Sequence, residues 1–568
     1  MDIAGTSGHA AELAADTGRY PLSANLEILC MFDKGDEQGA LGPRHLMVTG
    51  WRVTGPVSED RLTAALDAVV ARHEMLRTTL ARGGADQHQE VRPPTPAELE
   101  VIDLPADTGR SREELAEEFV NRVEGTTLRF SELPHIKAVL GRFDATDAVL
   151  VLVAHHAASD GWTMNVLVRD LAACYTAIEA GVPPQLPETS QYGQFSVWQR
   201  QRLASPQADK SRQYWQQKLQ HAQITAIPMD MVPPPDQVSA YATHRFLLDA
   251  GLMAGAADLA RARRCSAFMV LFAAFEAVLY KLTGVRDLVA TTMTSGRGDE
   301  EFAETVGAFF NLVPVRTDLS ACDSFAALVD QTRSACLEAY SRELPFGDIT
   351  GQAPELTRPY AAGNLAVITF QLFQFSGVMN GERVGNLEFS EIRRRTLSCP
   401  ATTDIPNGVL WTLDILPSGE IAGHIKFNKN EFLPATMIGI ADDYQRILAS
   451  ALAAPASSLD EICRSGSEGE LCGLAYRSPA QAGPNAARSP GPAPRCRDWP
   501  PDAGPGPPMP GCRPGSRRPR PVGRTRHTGT GRPASVTRPP QQCGALPRCG
   551  DLGVAHDAKS SARRKYSA

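Results

Sequence analysis

Hydrophobic positions along the chain follow two alternating patterns. Short apolar runs rich in β-branched residues are typical of buried strands, and they lie at 148–154, 287–293, 365–373, 409–415 and 421–427. Longer segments repeat apolar residues at helical spacing, and they lie at 58–80, 162–180, 252–282, 325–340 and 432–454. A Pro-Ser-Gly turn at 417–419 joins the last two strands as a hairpin. The alternation predicts a mixed α/β fold.

Composition divides the chain into two folded halves, a linker and two ends. The predicted parts are a flexible N-terminus over 1–18, a first α/β half over 19–225, a Pro-rich linker over 226–240, a second α/β half over 241–464 and a disordered tail over 465–568. The Pro-, Arg- and Gly-rich tail lacks hydrophobic periodicity, so it buries too little apolar surface to offset chain entropy. Two interpretations stay open: a basic interaction tail built on the Arg-rich run 513–526, or sequence left by truncation or a shifted reading frame.

Charge is distributed unevenly along the chain. The net formal charge is −7, yet residues 465–568 hold 17 Lys and Arg against 6 Asp and Glu, and the residues before them hold 40 against 58. An acidic body gives no reason to expect nucleic-acid binding. No segment approaches the ~20 apolar residues of a membrane span, and the first residues lack a secretion-signal pattern. We therefore expect a soluble, cytoplasmic protein.

Candidate chemistry is concentrated in the turn that follows the apolar run 148–154. The next residues are His155-His156-Ala157-Ala158-Ser159-Asp160-Gly161, and a helix pattern begins at once after them. Histidine titrates near neutral pH, so it can take a proton from an attacking amine or hydroxyl. A carboxylate in such a turn can hold backbone N–H groups or an arginine and so fix the histidine loop.

Two other interpretations of these histidines compete with catalysis. A histidine at a strand end is often a satisfied core residue, and adjacent histidines can bind a metal. Neighbours on an extended segment point to opposite sides, however, so the two are poorly placed to share one ion. The 12 cysteines also lack paired spacing, which argues against a zinc site and a disulfide framework. The complete seven-residue pattern therefore favours catalysis without a metal.

The HHxxxDG pattern resembles the active-site signature of the condensation domains of non-ribosomal peptide synthetases. Further motifs resemble that family in the right order, namely RHExLRT at 72–78, YxDFAxW at 192–198, IGxFxNxLPLR at 306–316, a VPFE-type motif at 344–346 and the opening motif at 21–23. There are departures: Gln194 and Gly347 replace the usual Asp and Glu, and the opening motif lacks its usual continuation. The resemblance covers roughly residues 20 to 463.

The resemblance implies a fold like that of chloramphenicol acetyltransferase, with two related α/β subdomains in a V-shaped pseudo-dimer and a tunnel between them. It implies that His156 is catalytic, with His155 and Asp160 as architectural residues and Gly161 keeping the tunnel open. Asn311 would line the tunnel as a polar group.

Asp160 needs a cationic partner, for which the sequence offers Arg72, Arg77 and Arg316. Each of these arginines could equally form an ordinary surface ion pair.

The function implied is amide bond formation between an acyl or aminoacyl thioester and an amine. The donor would arrive on the phosphopantetheine arm of a carrier protein acting in trans, with no bound cofactor or metal, and the enzyme would be a monomer in non-ribosomal peptide or antibiotic biosynthesis. Alternatives are O- or N-acyl transfer from coenzyme A or a carrier to a small molecule, epimerisation, and a non-catalytic domain that recruits partners. The segment 161–164 lacks the Ser-Trp typical of epimerisation domains, and the retained histidine pair argues against a non-catalytic role.

Overall fold

The strand that leads into the histidine turn is buried on both faces. In the computed structural model, which describes residues 18–35, 37–82, 87–105, 109–234, 237–374 and 379–464, this strand is Asp147–His155. Leu150 and Leu152 contribute to the larger hydrophobic core of the first half, and Val149 and Val151 contribute to a separate core on the opposite face. Because helices cover both faces, the strand reads as a continuous apolar run rather than an alternating one.

The described residues form sixteen strands and thirteen α-helices. The strands are β1 Arg19–Pro21, β2 Leu46–Thr54, β3 Thr78–Ala81, β4 His88–Val91, β5 Glu98–Asp103, β6 Ile136–Asp144, β7 Asp147–His155, β8 Ala226–Pro228, β9 Tyr241–Leu248, β10 Asp287–Thr294, β11 Asn311–Asp318, β12 Leu365–Phe373, β13 Glu382–Val384, β14 Leu387–Glu391, β15 Val409–Ile415 and β16 Ile421–Asn428. The helices are α1 Ala24–Met31, α2 Glu59–Arg72, α3 Arg112–Val123, α4 Gly161–Ala180, α5 Tyr192–Leu203, α6 Pro206–Lys218, α7 Ala250–Arg263, α8 Ala267–Thr283, α9 Phe325–Ser341, α10 Phe346–Gln352, α11 Arg358–Ala361, α12 Pro434–Ala453 and α13 Leu459–Arg464.

Two large mixed sheets organise these elements. The first has the strand order β13-β14-β2-β7-β6-β5, and the second has the order β11-β10-β12-β15-β16-β9 with β8 beside β12. Strands β1, β4 and β3 form a third, three-stranded sheet in that order. Aromatic side chains fill the core of the second half, with Phe275 stacked on Phe370 and Trp411 against Tyr444. The predicted mixed α/β architecture is confirmed.

The division between the halves differs from the predicted one at two places. Strands β13 and β14 come from the second half of the chain, yet β14 pairs antiparallel with β2 and extends the first sheet. Residues 226–228, predicted as the start of the linker, form β8 and pair with β12. These pairings join residues far apart in sequence, so local sequence patterns cannot predict them. The predicted tail over 465–568, and residues 1–17 of the predicted flexible N-terminus, lie outside the described residues.

Helix boundaries depart from the apolar periodicity where capping residues intervene. The single helical stretch predicted over 252–282 is two helices, α7 and α8, because Arg264 is left-handed at φ 54° and Ser266 caps the second helix. The helix predicted over 58–80 ends at Arg72 and is followed by a 3₁₀ turn and by β3. The β-branched pair Thr78-Thr79 suits a strand better than a helix.

Within the described part of the chain, no individual helix has the length and apolar character to cross a bilayer. Helices α7 and α8 satisfy those two criteria only when taken together, and they are bent by 105°.

Candidate active site

The turn after β7 places its two histidines in different surroundings. His155 is fully buried, and its Nε2 donates to the carbonyl of Gly42 at 3.0 Å. Its Nδ1 accepts the N–H of Ala157 at 3.1 Å, so both ring nitrogens are satisfied by backbone. Burial and the neighbouring His135 lower the pKa of His155 to about 3. His155 is therefore a neutral residue that holds the turn to an adjacent loop.

His156 keeps one ring nitrogen free. Its Nδ1 lies 2.8 Å from the carbonyl of Ser159, and because a carbonyl only accepts, the proton of the neutral ring resides on Nδ1. Nε2 is left with its lone pair and no hydrogen-bond partner among the described residues, and the side chain is half-buried. Burial lowers the pKa of His156, although the bond to Ser159 and the charge of Asp160 oppose this. A neutral imidazole that presents Nε2 is a competent proton acceptor.

Two rings fix the plane of the His156 imidazole. The His45 ring stacks on it with centroids 4.7 Å apart, and the Phe310 ring packs against it at 4.6 Å. The His156 N–H also donates to the carbonyl of His45 at 2.9 Å, next to the pairing of β7 with β2. His156 is thus oriented by its backbone, by one ring bond and by two aromatic neighbours.

Asp160 connects the turn to the second half of the chain. It caps helix α4 by accepting the N–H of Thr163 at 2.7 Å, and it accepts the N–H of Phe309 at 3.1 Å. Its cationic partner is Arg297, whose Nη2 lies 3.1 Å from both carboxylate oxygens. Asp160 has both of the contacts expected for it, backbone N–H groups and an arginine.

Arg297 is itself buried and held from several sides. Its Nη1 donates to the carbonyls of Phe302 and Thr305 at 2.9 and 2.8 Å, and its guanidinium lies 3.9 Å from the centroid of the Phe309 ring. The side chains of Arg297 and Asp160 are 5% and 8% exposed. A charge pair with so little solvent contact depends on these extra hydrogen bonds to offset its desolvation.

The arginines proposed from the sequence as partners of Asp160 lie elsewhere. Arg316 pairs with Asp287 at 2.6 Å on the second sheet. Arg77 donates to the carbonyl of Arg92 at 2.5 Å, and Arg72 pairs with Asp170 at 2.9 Å. The prediction of their pairing with Asp160 is therefore wrong. Each arginine satisfies a group close to it in the fold, whereas the actual partner follows β10.

Asn311 lies at the wall of a cavity of about 600 Å³. Its amide bridges backbone, with Nδ2 donating to the carbonyl of Leu344 at 2.8 Å and Oδ1 accepting from Phe346 at 3.0 Å. Asn25 lines the same cavity and donates to the carbonyl of Phe310 at 2.9 Å. Phe310 is also the residue whose ring packs on His156. Gly161 is the first residue of α4, directly after Asp160.

Sequence reasoning missed Arg297, His45 and Phe310. A signal for the first was available in Ser295-Gly296-Arg297-Gly298, which follows a predicted strand and precedes the 306–316 motif. Gly296 has φ +64°, and a Cβ there would lie 1.8 Å from the Phe309 carbonyl oxygen, so only glycine fits. No comparable local signal marks His45, which approaches His156 only through the sheet.

No group of three or more His, Cys, Asp or Glu side chains in the described ranges is arranged to hold a metal ion. The chemistry available at the turn is proton transfer at Nε2 of His156. The ion pair of Asp160 and Arg297 holds the turn in place.

The histidine turn connects strand β7 of the first mixed sheet with helix α4. A family model for the condensation domain matches residues 45–468. The chain therefore belongs to the condensation domain family, as the sequence motifs predicted.

Relatives and solved structures agree with this assignment. The chain is 30% identical over 413 residues to chondramide synthase cmdD of Chondromyces crocatus, a match that covers 72% of this chain and 10% of that protein. It is 30% identical over 427 residues to the enniatin synthase of Fusarium equiseti, covering 72% of this chain and 13% of that protein. The chain thus spans a small part of the curated relatives that it matches.

Among solved structures, the SgcC5 protein from Streptomyces globisporus superposes with a TM-score of 0.74 at 41% identity, covering 77% of this chain and all of that one. That structure is a complex with (R)-(-)-1-(2-naphthyl)-1,2-ethanediol and sucrose. The first condensation domain of the CDA synthetase shares the fold, with a TM-score of 0.61 at 20% identity, covering 78% of this chain and 98% of that one.

Proposed function

We propose that this protein transfers an acyl or aminoacyl group from a carrier-protein thioester to the amine of an acceptor, forming an amide. The observation that carries the proposal is the geometry of His156, whose Nδ1–H is committed to Ser159 and whose Nε2 is free on a half-buried side chain. The donor thioester is delivered on a phosphopantetheine arm by a carrier protein acting in trans. The enzyme works as a monomer.

The reaction proceeds by direct attack on the thioester. The acceptor nitrogen adds to the carbonyl carbon as Nε2 of His156 takes a proton from it, and a tetrahedral intermediate forms. The C–S bond then breaks, the amide carbonyl is restored, and the phosphopantetheine thiol leaves with the proton held by His156. An α-amine titrates at roughly pH 7.7–8.0, so a weak base in a fixed position suffices. Holding the two reactants together contributes about 7–11 kcal/mol of barrier.

A single-turnover assay with mass-spectrometric detection tests the proposal. Acyl and aminoacyl thioesters, on carrier protein and on coenzyme A, are offered to amine acceptors with wild-type protein and with a folded His156→Ala variant. We expect amide product from carrier-bound donors that falls by about 10²–10⁴ in the variant. Product only from coenzyme A donors, or equal rates in both proteins, contradicts the proposal.

A second candidate is ester formation on a hydroxyl acceptor. It is supported by the likeness to the SgcC5 structure, which at 41% identity holds an aryl-substituted 1,2-ethanediol. The same free Nε2 can take a proton from a hydroxyl. Offering (R)-1-(2-naphthyl)-1,2-ethanediol beside the matching 2-amino-1-(2-naphthyl)ethanol separates the two functions, because ester from the diol with no amide from the amino alcohol favours the second.

A further inference from the structure

The sheet of the second half presents a polar face close to His156. Along strand β16, Ile425 and Phe427 are buried in the hydrophobic core, whereas His424 and Lys426 point to the opposite face and are half-buried. Thr243, on the neighbouring strand β9, is the partner of Lys426 in the ladder. The partly exposed His424 and Lys426 side chains therefore make this side of the strand polar, in contrast to its core side.

A chain of contacts connects Lys426 with the surroundings of His156. Its Nζ donates to Oγ1 of Thr403 at 2.5 Å. The residues on either side of Thr403 are bound to Arg44, which donates to the carbonyl of Thr402 at 2.6 Å and to Asp404 at 3.1 Å. Arg44 directly precedes His45, whose ring stacks on His156. In agreement, the positive charge of Lys426 contributes to lowering the pKa of both histidines.

Nearby carboxylates are already committed to other cations. Glu124 accepts from Arg245 at 3.0 Å and also from Arg395, and Asp404 accepts from Arg44. Among the described residues no carboxylate lies within 4.0 Å of the Lys426 ammonium, whose only hydrogen bond is to a neutral hydroxyl. Burial, reinforced by Arg245 and Arg395, lowers the pKa of Lys426 to about 8 in spite of Glu124.

A half-buried ammonium without a carboxylate partner is costly unless an anion joins it. We propose that Lys426 binds a carboxylate carried by the acceptor substrate, beside His156. The choice of the acceptor rests on the proposed acyl transfer. The phosphate of a phosphopantetheine arm does not fit this position, because it lies at the far end of the arm from the thioester. A neutral acceptor would leave the ammonium unpaired.

The test is a binding measurement, so it is readable whether or not the protein forms amides. L-Phenylalanine and L-phenylalaninamide differ at the carboxyl group, and each is titrated calorimetrically at pH 7 into the full chain and into Lys426→Met. We expect wild type to bind the acid at least tenfold more tightly than the amide, since hydrogen bonds to charged groups contribute about 1.5–3 kcal/mol. In Lys426→Met that preference disappears.

Two further variants separate a lost charge from a damaged fold. Lys426→Arg retains the cation and keeps the preference for the acid, as does Lys429→Met, which removes an exposed lysine bound to the carbonyl of Pro400. Equal affinity of wild type for the two probes, no measurable binding of the acid at about 10 mM, or a preference that persists in Lys426→Met overturns the proposal. A loss of affinity in Lys429→Met equal to that in Lys426→Met also overturns it.

Discussion

Removing the Arg297 side chain should destabilise the protein more than removing any of the arginines that the sequence suggested. In Arg297→Met, Asp160 keeps two backbone N–H donors but loses the one cation that pairs with it among the described residues, while this residue is only 6% exposed. Breaking a buried pair from one side costs about 3–5 kcal/mol because the remaining charge is uncompensated. A typical domain is stable by only about 5–15 kcal/mol, so this loss is a large fraction of the total.

Urea denaturation monitored by tryptophan fluorescence measures this loss of unfolding free energy, and Arg316→Met is the matched control. The pair of Arg316 and Asp287 has side chains 25% and 51% exposed, so that variant should lose about 1 kcal/mol. Asp160→Asn removes the carboxylate charge that Arg297→Met leaves unpaired. The stability loss of the double variant should therefore be smaller than the sum of the two single losses, by about 1–3 kcal/mol. Additive losses, or equal losses in the two arginine variants, would show that the buried pair of Arg297 and Asp160 is not coupled in this way.

Three other predictions test separate parts of the structure. Burial raises the pKa of Glu276 to about 7 from its usual 4.5, so the folded state holds this proton more tightly and wild-type stability falls as pH rises from about 4.5 to 7. Glu276→Gln should not show that loss of about 3 kcal/mol, and urea titrations of both proteins at pH 5 and 8 measure the difference. The same change in stability with pH in both proteins would contradict this prediction. His155→Ala should lose about 1–3 kcal/mol of stability because two backbone groups lose their partner, while His156→Ala loses turnover instead; a stable, active His155→Ala would count against this separation. Gly296→Ala should cost at least about 2 kcal/mol because of its positive φ and a clash with a backbone carbonyl, whereas Gly298→Ala, with open space around it, should unfold like wild type.

Local sequence patterns predict the elements that carry the histidine turn. The strand predicted over 148–154 is Asp147–His155, and the helix predicted to start at Trp162 starts at Gly161. Both follow from apolar spacing and capping, which act over a few residues. The candidate catalytic residue His156 can be found in the same way, because the residues of its motif are contiguous in the sequence.

Contacts between distant segments cannot be predicted from those patterns. Arg297 meets Asp160 across 137 positions of sequence, and nothing near either residue specifies the other. The three arginines proposed from the sequence lie in recognisable motifs, yet an arginine in a motif has several carbonyls and carboxylates within reach. The polar face around Lys426 cannot be predicted from the sequence either. The apolar pattern at 421–427 predicts a strand but does not show which residues its second face contacts.

The crossing of β13 and β14 into the first sheet limits how this protein can be divided or recombined. A fragment that ends at the apparent junction near residue 225 would lack β14, and the backbone of Leu46–Thr54 would then form an uncovered sheet edge. Such an edge is a template for pairing with other chains and a route to aggregation. Chimeras that exchange one half between related condensation domains therefore need to carry residues 382–391 with the first half, although these residues lie in the second half of the chain.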